Sequence, residues 1–280
     1  MDVGALGVDG KGESVTIVVA LKVGDGLVLG ADSATTLSIS NTYHNTYVNT
    51  EKLIHVRPFP VGALTFGLGG LNNRSVSSLA NDFRARLNGS DPSWKLDPKN
   101  FTVEDMVDRF RRFYFDELYA RAHVDDEGAV PMGFIVGGYS SAKDSAEIWR
   151  LMLTGMGAQA ELVAPSEAPW ECVWEGVREP IQRLMFGYSS QIEERLLDAG
   201  VERDVARQLL TSLEPLINGV MPIQDAIDMV RYLIDITCGY IRFAPGHAIV
   251  AEPIDLAAIT KHNGFKWVAR KRYYPAELNQ

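Results

Sequence analysis

The residue types best suited to chemistry are scattered along this chain. His44, His55, His123, His247 and His262 show no metal-ligand spacing and read as structural or surface groups. Cys172 and Cys238 form no CxxC pair, and two distant thiols make no disulfide framework, so they read as small buried hydrophobes. Asp125-Asp126-Glu127 reads as a solvated loop. What remains is hydroxyl chemistry. Thr16 heads an apolar run, Asp32 and Lys52 follow it, and Gly67 opens a glycine-rich junction. A threonine hydroxyl is a poor nucleophile until a base takes its proton. Each residue also has a plainer reading on its own. Thr16 is a β-branched strand residue, Asp32 a turn acceptor, Lys52 a solvated charge. Gly67, Gly69 and Gly70 form a turn before a helix, and no βαβ context makes them a dinucleotide loop.

The elements that must position these residues follow from hydrophobic periodicity. Val15 to Val23 is β-branched and apolar, Gly24-Asp25-Gly26 is a turn, and Leu27 to Ala31 is a second apolar run, together a hairpin covered on both faces. Leu53 to Val56 and Ala63 to Phe66 form another strand pair around Pro58 and Pro60. Val76, Leu79, Ala80, Phe83 and Leu87 recur at helical spacing, as do Val103, Met106, Val107, Phe110 and Tyr114. Thr102 and Asp105 resemble a capping box. Strands return at Gly133 to Tyr139 and Ala146 to Met152. Ala164 to Trp174, with two prolines and two tryptophans, reads as a connection. Helices are expected over Glu179 to Ala199, Arg203 to Leu216 and from Pro222 as first helical residue. Strands near Ile254 to Thr260 and Phe265 to Val268 close the chain. Runs of strands alternate with runs of helices, which suits two antiparallel sheets face to face with helices outside.

Composition narrows the partners. With 280 residues, 46% apolar and 22% charged, the chain is ordinary for a globular protein. A net charge of −9 repels phosphate backbones and anionic lipid, which argues against nucleic acid and membrane partners. Arg270-Lys271-Arg272, the tightest positive cluster, reads as a solvated tail. No apolar run is long enough to span a bilayer. Met1 to Val15 is glycine-rich, carries acids, and reads as a flexible leader rather than a secretory signal. A cytoplasmic location is expected.

The segment from Thr16 through Asp32-Ser33, a threonine, an apolar strand, a tight turn, a second strand and an aspartate, resembles the start of a mature proteasome β-subunit. Thr16 and Asp32 stand sixteen residues apart, the spacing that family uses. Lys52-Leu-Ile-His-Val resembles the strand carrying the family's catalytic lysine, and Ala-Leu-Thr-Phe-Gly67-Leu-Gly-Gly-Leu its strand-to-helix junction. Phe134 to Tyr139 and Pro253 to Thr260 resemble later strands. Gly176-Val177 stands nearest to a family Gly-Ser pair and lacks its hydroxyl. Arg242-Phe243-Ala244-Pro245-Gly246 aligns loosely with a later family segment but lacks its aspartate and serine.

The resemblance implies an α+β, four-layer αββα sandwich of two antiparallel sheets flanked by helices, the N-terminal nucleophile hydrolase fold. It is similar to that of stand-alone bacterial proteasome homologues. It implies a leader over residues 1–15 and one domain over 16–280. Cleavage before Thr16 would free an α-amine titrating near pH 8 that serves as the base. The resemblance makes Thr16 the nucleophile and Lys52 the group that lowers the pKa of amine and hydroxyl. It makes Asp32 the anchor of that lysine and the Gly67 N–H the oxyanion donor. The implied activity is threonine endopeptidase action on a peptide or unfolded protein, without metal or cofactor, in a homo-oligomeric ring or stack. The alternative is a catalytically inactive structural subunit of such an oligomer, with its leader uncut.

Overall fold

A computed structural model describes residues 16–39, 43–123, 126, 128–210, 216–244 and 250–271. The chain runs through β1 (Ile17–Val23), β2 (Gly26–Ala31), β3 (Thr35–Ile39), β4 (Tyr43–Tyr47), β5 (Leu53–His55), β6 (Val61–Gly67), β7 (Gly70–Leu71) and β8 (Arg74–Ser75). It then forms α1 (Val76–Leu87) and α2 (Val103–Phe110), the latter continuing as a π-helix over Arg111–Tyr119 and ending in α3 (Ala120–Ala122). Four strands follow, β9 (Met132–Gly138), β10 (Glu147–Thr154), β11 (Gly157–Ala164) and β12 (Glu171–Gly176). After them come α4 (Glu179–Phe186), α5 (Ser190–Asp198), α6 (Arg203–Leu210), α7 (Ile223–Phe243), β13 (Asp255–Thr260) and β14 (Gly264–Ala269).

The class is α+β, as expected. One five-stranded sheet has the order β12-β1-β2-β13-β14 and another β11-β10-β9-β6-β5, with neighbours antiparallel throughout. The pleat explains why both sheets read as continuously apolar. On β1, Val18 and Ala20 join Leu27, Leu29, Leu53, Leu64, Ile135 and Ile148 in a core drawn from both sheets. The intervening Ile17, Val19 and Leu21 pack with Ala226, Val230, Leu233 and Ile234 of α7. A third core joins Phe83 of α1 and Phe110 of α2 to Ala63, Phe134 and Leu151 of the second sheet. The Thr102 capping box forms: its hydroxyl accepts from Asp105 N at 3.0 Å, and Asp105 Oδ2 accepts from Thr102 N at 2.8 Å.

Several sequence expectations need correction. Ala164 to Trp174 is not a connection throughout, because Glu171–Gly176 is β12 and pairs with β1 from Ile17 to Lys22. Glu179 to Ala199 is not one helix. Gly187 sits at φ +78°, which ends α4, and the Ser189 side chain caps α5. Helix α6 is described to Leu210, and residues 211–215 lie outside the described residues. Pro222 caps α7 with extended ψ rather than occupying its first turn. The β3–β4 and β7–β8 ribbons were not expected. The second turns on Asn72 and Asn73 at φ 52° and 60°, the left-handed region that asparagine tolerates. Lys271 is not part of a solvated tail. Its side chain is 6% exposed and pairs with Asp255 at 3.1 Å, while Arg272 lies outside the described residues.

His55 supplies a pH-linked test of this packing. Its ring stacks on Phe265 at 3.9 Å, and burial, aided by Arg57, Arg84 and Arg270, pushes its pKa down to about 4. In the unfolded chain the imidazole titrates near 6.5. As pH falls through 6.5, the unfolded state takes up the proton first, so stability drops until about pH 4. The loss should be about 1–2 kcal/mol, less than the shift alone implies because the ring is only half-buried. His55→Gln should flatten that part of the curve of melting temperature against pH.

Candidate active site

The hairpin of β1 and β2 determines where Asp32 lies. Val18 opposes Ala31, and each step back along β1 is a step forward along β2. The next position brings Asp32 opposite Ile17, and Asp32 N donates to Ile17 O at 3.1 Å. The carboxylate therefore turns beside Thr16. Thr16 Oγ1 donates to Asp32 Oδ1 at 2.8 Å, and Ile17 N donates to the same oxygen at 3.0 Å. Asp32 Oδ2 accepts from Ala34 N at 2.9 Å and Ala251 N at 3.4 Å.

Lys52 comes from the other sheet, one residue before β5. Its carbonyl accepts from Thr65 N of β6 at 2.9 Å, which extends the β5–β6 ladder to the lysine. Its Nζ donates to Asp32 Oδ1 at 2.5 Å and also to Thr16 Oγ1. Thr16, Asp32 and Lys52 are 1%, 0% and 4% exposed, so this hydroxyl, carboxylate and ammonium satisfy one another almost without solvent. Burial lowers the Lys52 pKa below 10.5. The Asp32 carboxylate opposes that lowering, and the Lys271 ammonium adds to it. A lysine lowered in this way and hydrogen-bonded to a hydroxyl is a candidate proton acceptor for it.

The cluster brings together three of the four residues singled out in the sequence. Gly67 makes no hydrogen bond to the other three. It ends β6, two residues past Thr65, at φ +80°, and a Cβ there would lie 2.3 Å from Pro131 O. Only glycine fits that position, whatever its N–H does.

The Thr16 backbone is fixed from the other side by β12. Ile17 opposes Gly176, and Val177 N donates to Thr16 O at 2.8 Å. The Gly176-Val177 pair therefore adjoins the candidate nucleophile through its main chain. A Cβ on Gly176, whose φ is +103°, would lie 1.8 Å from Thr16 O. Gly176→Ala should therefore cost about 2–4 kcal/mol in denaturant unfolding and displace the residue that carries the hydroxyl. Phe243 is exposed at the end of α7, while Pro245 and Gly246 lie outside the described residues.

A second polar cluster adjoins the first. Lys271 Nζ donates to Ser33 Oγ at 2.6 Å and to Thr50 O, and Lys271 N donates to Asp255 Oδ1 at 2.9 Å. Sequence reasoning missed these residues. The available signal was their place at the open end of the β13–β14 hairpin, where a buried acid and a lysine flank two apolar strands. Among the described residues, no group of histidines, cysteines and acids is arranged to hold a metal ion.

The site is thus a threonine hydroxyl at the head of an interior strand, set on a carboxylate and a lysine, in a fold of two antiparallel sheets with helices. No protein-family model matches the chain, and no curated protein matches it. Solved structures with a similar fold include those of Anbu. The Gly-1 mutant of Anbu from Hyphomicrobium sp. strain MC1 shares 16% identity, covers 94% of this chain and 91% of its own, and has a TM-score of 0.50. The helical assembly of the Anbu complex from Pseudomonas aeruginosa shares 17% identity over 94% of this chain and 90% of its own, with a TM-score of 0.49. A second crystal form of the Hyphomicrobium protein shares 16% identity over 92% and 90%, with a TM-score of 0.45. At this identity the likeness is one of fold alone.

The match to the Hyphomicrobium Gly-1 mutant corrects the resemblance drawn from the sequence, since it names Anbu rather than a proteasome β-subunit. The fragments behind that resemblance are a strand–turn–strand unit, a lysine-led strand, a glycine junction and two later strands. Such features specify how a hairpin closes and a strand ends, and they do not single out one family that uses them.

Proposed function

We propose that this chain is a threonine-type peptidase of the N-terminal nucleophile class, active once the Val15–Thr16 bond is cut and residues 1–15 are removed. The reading includes one domain over 16–280 with a four-layer helix–sheet–sheet–helix arrangement. The observation that carries it is the Thr16 hydroxyl held between the Asp32 carboxylate and the Lys52 amine.

In the uncut chain Thr16 has an amide nitrogen and no α-amine. Its hydroxyl contacts the Asp32 carboxylate, which accepts its hydrogen bond, and Lys52, to which the role of final proton acceptor is assigned. Thr16 Oγ1 then attacks the Val15 carbonyl carbon. The C–N bond breaks as the nitrogen takes a proton, leaving an ester. That break has already freed the Thr16 amine, and water then hydrolyses the ester to the Val15 carboxylate and the Thr16 hydroxyl. Against a peptide substrate the same oxygen forms an acyl-enzyme that water clears. Asp32 keeps Lys52 and the hydroxyl in register throughout, and the Gly67 N–H is assigned to the oxyanion.

The substrate class is a peptide or unfolded protein. A homo-oligomer, ring or stack, belongs to the same reading. Intact-mass spectrometry before and after incubation with a peptide epoxyketone tests the proposal. Loss of residues 1–15 and a single adduct on Thr16 are expected. A full-length mass with no adduct would identify an inactive structural subunit instead.

A further inference from the structure

Lys271 takes no part in the proton transfer described above, yet it is buried beside the site and its contacts are specific. It lies just beyond β14. Through Ser33 Oγ it holds the residue after Asp32, and through Thr50 O it holds the segment two residues before Lys52. Those two segments also meet directly, as Thr50 N donates to Ser33 O at 3.0 Å. Ser33 Oγ in turn donates to Pro253 O, so the hydroxyl is used in both directions. Asp255, fully buried, balances the Lys271 charge at 3.1 Å.

We propose that Lys271 is a positioning residue for Lys52: it fastens the Lys52 segment to the Asp32 segment and stands behind Lys52 as a second, fixed positive charge. This deepens the reading of Lys52 as the proton acceptor and rests on it. Asp32 and the Asp255–Lys271 pair face this region from the first sheet, and Cys238 faces it from α7. Burial, with Asp32, raises the Cys238 thiol to about 12, so it stays neutral in the working range. On the lysine's own segment, Glu51 pairs with Arg270 at 3.0 Å. Of these charges, Lys271 favours the neutral amine of Lys52, and Asp32 opposes it. A cation nearby disfavours a second cation, which is what a general-base lysine requires.

The test compares the full chain with Lys271→Met and Lys271→Arg. Protein labelled with [ε-¹³C]lysine is titrated by NMR, with the Lys52 signal assigned by its loss in Lys52→Arg. In Lys271→Met the Lys52 midpoint should rise by about 0.5–1 pH unit. The pH dependence of Val15–Thr16 cleavage should move in the same direction. Lys271→Arg keeps the charge and should keep the wild-type midpoint, even where its rate falls. An unchanged Lys52 midpoint in folded Lys271→Met overturns the proposal. If that variant does not fold, Lys271→Gln removes the charge while keeping a donor for Ser33 Oγ and Thr50 O, and an unchanged midpoint there overturns it equally. The NMR readout needs no activity. A wild type that never cleaves but shows the midpoint shift would sink the peptidase reading while supporting the charge coupling.

Discussion

Thr16→Ala should leave the Val15–Thr16 bond uncut and reduce peptide hydrolysis by at least about 10³-fold, the scale on which losing a nucleophile acts. Alanine removes the hydroxyl that contacts both the carboxylate and the amine, while the strand pairing of Thr16 and Ile17 runs through main-chain atoms. Folding should therefore be little altered, with thermal unfolding as the control. Thr16→Ser keeps the hydroxyl and should keep cleavage, at a lower rate because the methyl group no longer fixes the rotamer. A Thr16→Ala protein that is cut at the same bond at the wild-type rate would mean that another protease does the cutting.

Lys52→Arg should be nearly as damaging, and it separates chemistry from architecture. Arginine keeps a positive charge and can still pair with Asp32, so a lysine that served only as an ion-pair partner would tolerate the change. Arginine does not give up its proton in the accessible pH range, so it offers no base to the hydroxyl. Cleavage should fall about 10²–10⁴-fold, the usual contribution of general-base catalysis. The wild-type pH profile carries a sign as well. Because burial places the Lys52 pKa below 10.5, the neutral amine appears at lower pH than in a free lysine. The cleavage rate should rise with pH through that lowered value and level off above it. A rate that falls across the same range would exclude Lys52 as the acceptor.

The sequence was most legible where a residue's neighbours along the chain decide its place. β1 and β2 were visible because apolar residues fill both faces and Gly24-Asp25-Gly26 leaves one way to turn, and their register then brings Asp32 to Thr16. α1, α2 and α7 were visible from their apolar stripes. The misreadings arose where distant chain decides. β12 lies next to a proline- and tryptophan-rich stretch and alternates weakly, and only its pairing with β1 makes it a strand. The break at Gly187 was hidden because one glycine within a helical pattern is often tolerated. Lys271 sits between two arginines, which looks like a solvated run until β13 and β14 carry it back to Ser33. The partnership of Lys52 and Thr16 was legible only through resemblance, because residues in different sheets leave no periodic trace.

The main-chain grip of β12 on Thr16 has a kinetic consequence. With Val177 N on its carbonyl and Asp32 on its hydroxyl, the reacting residue is already seated before any bond breaks. Maturation by this route would be a first-order clock that starts when folding ends. Its half-time should be the same in dilute and concentrated samples, with a single exponential and no lag. Two copies of the chain would have no need to meet for either to be processed.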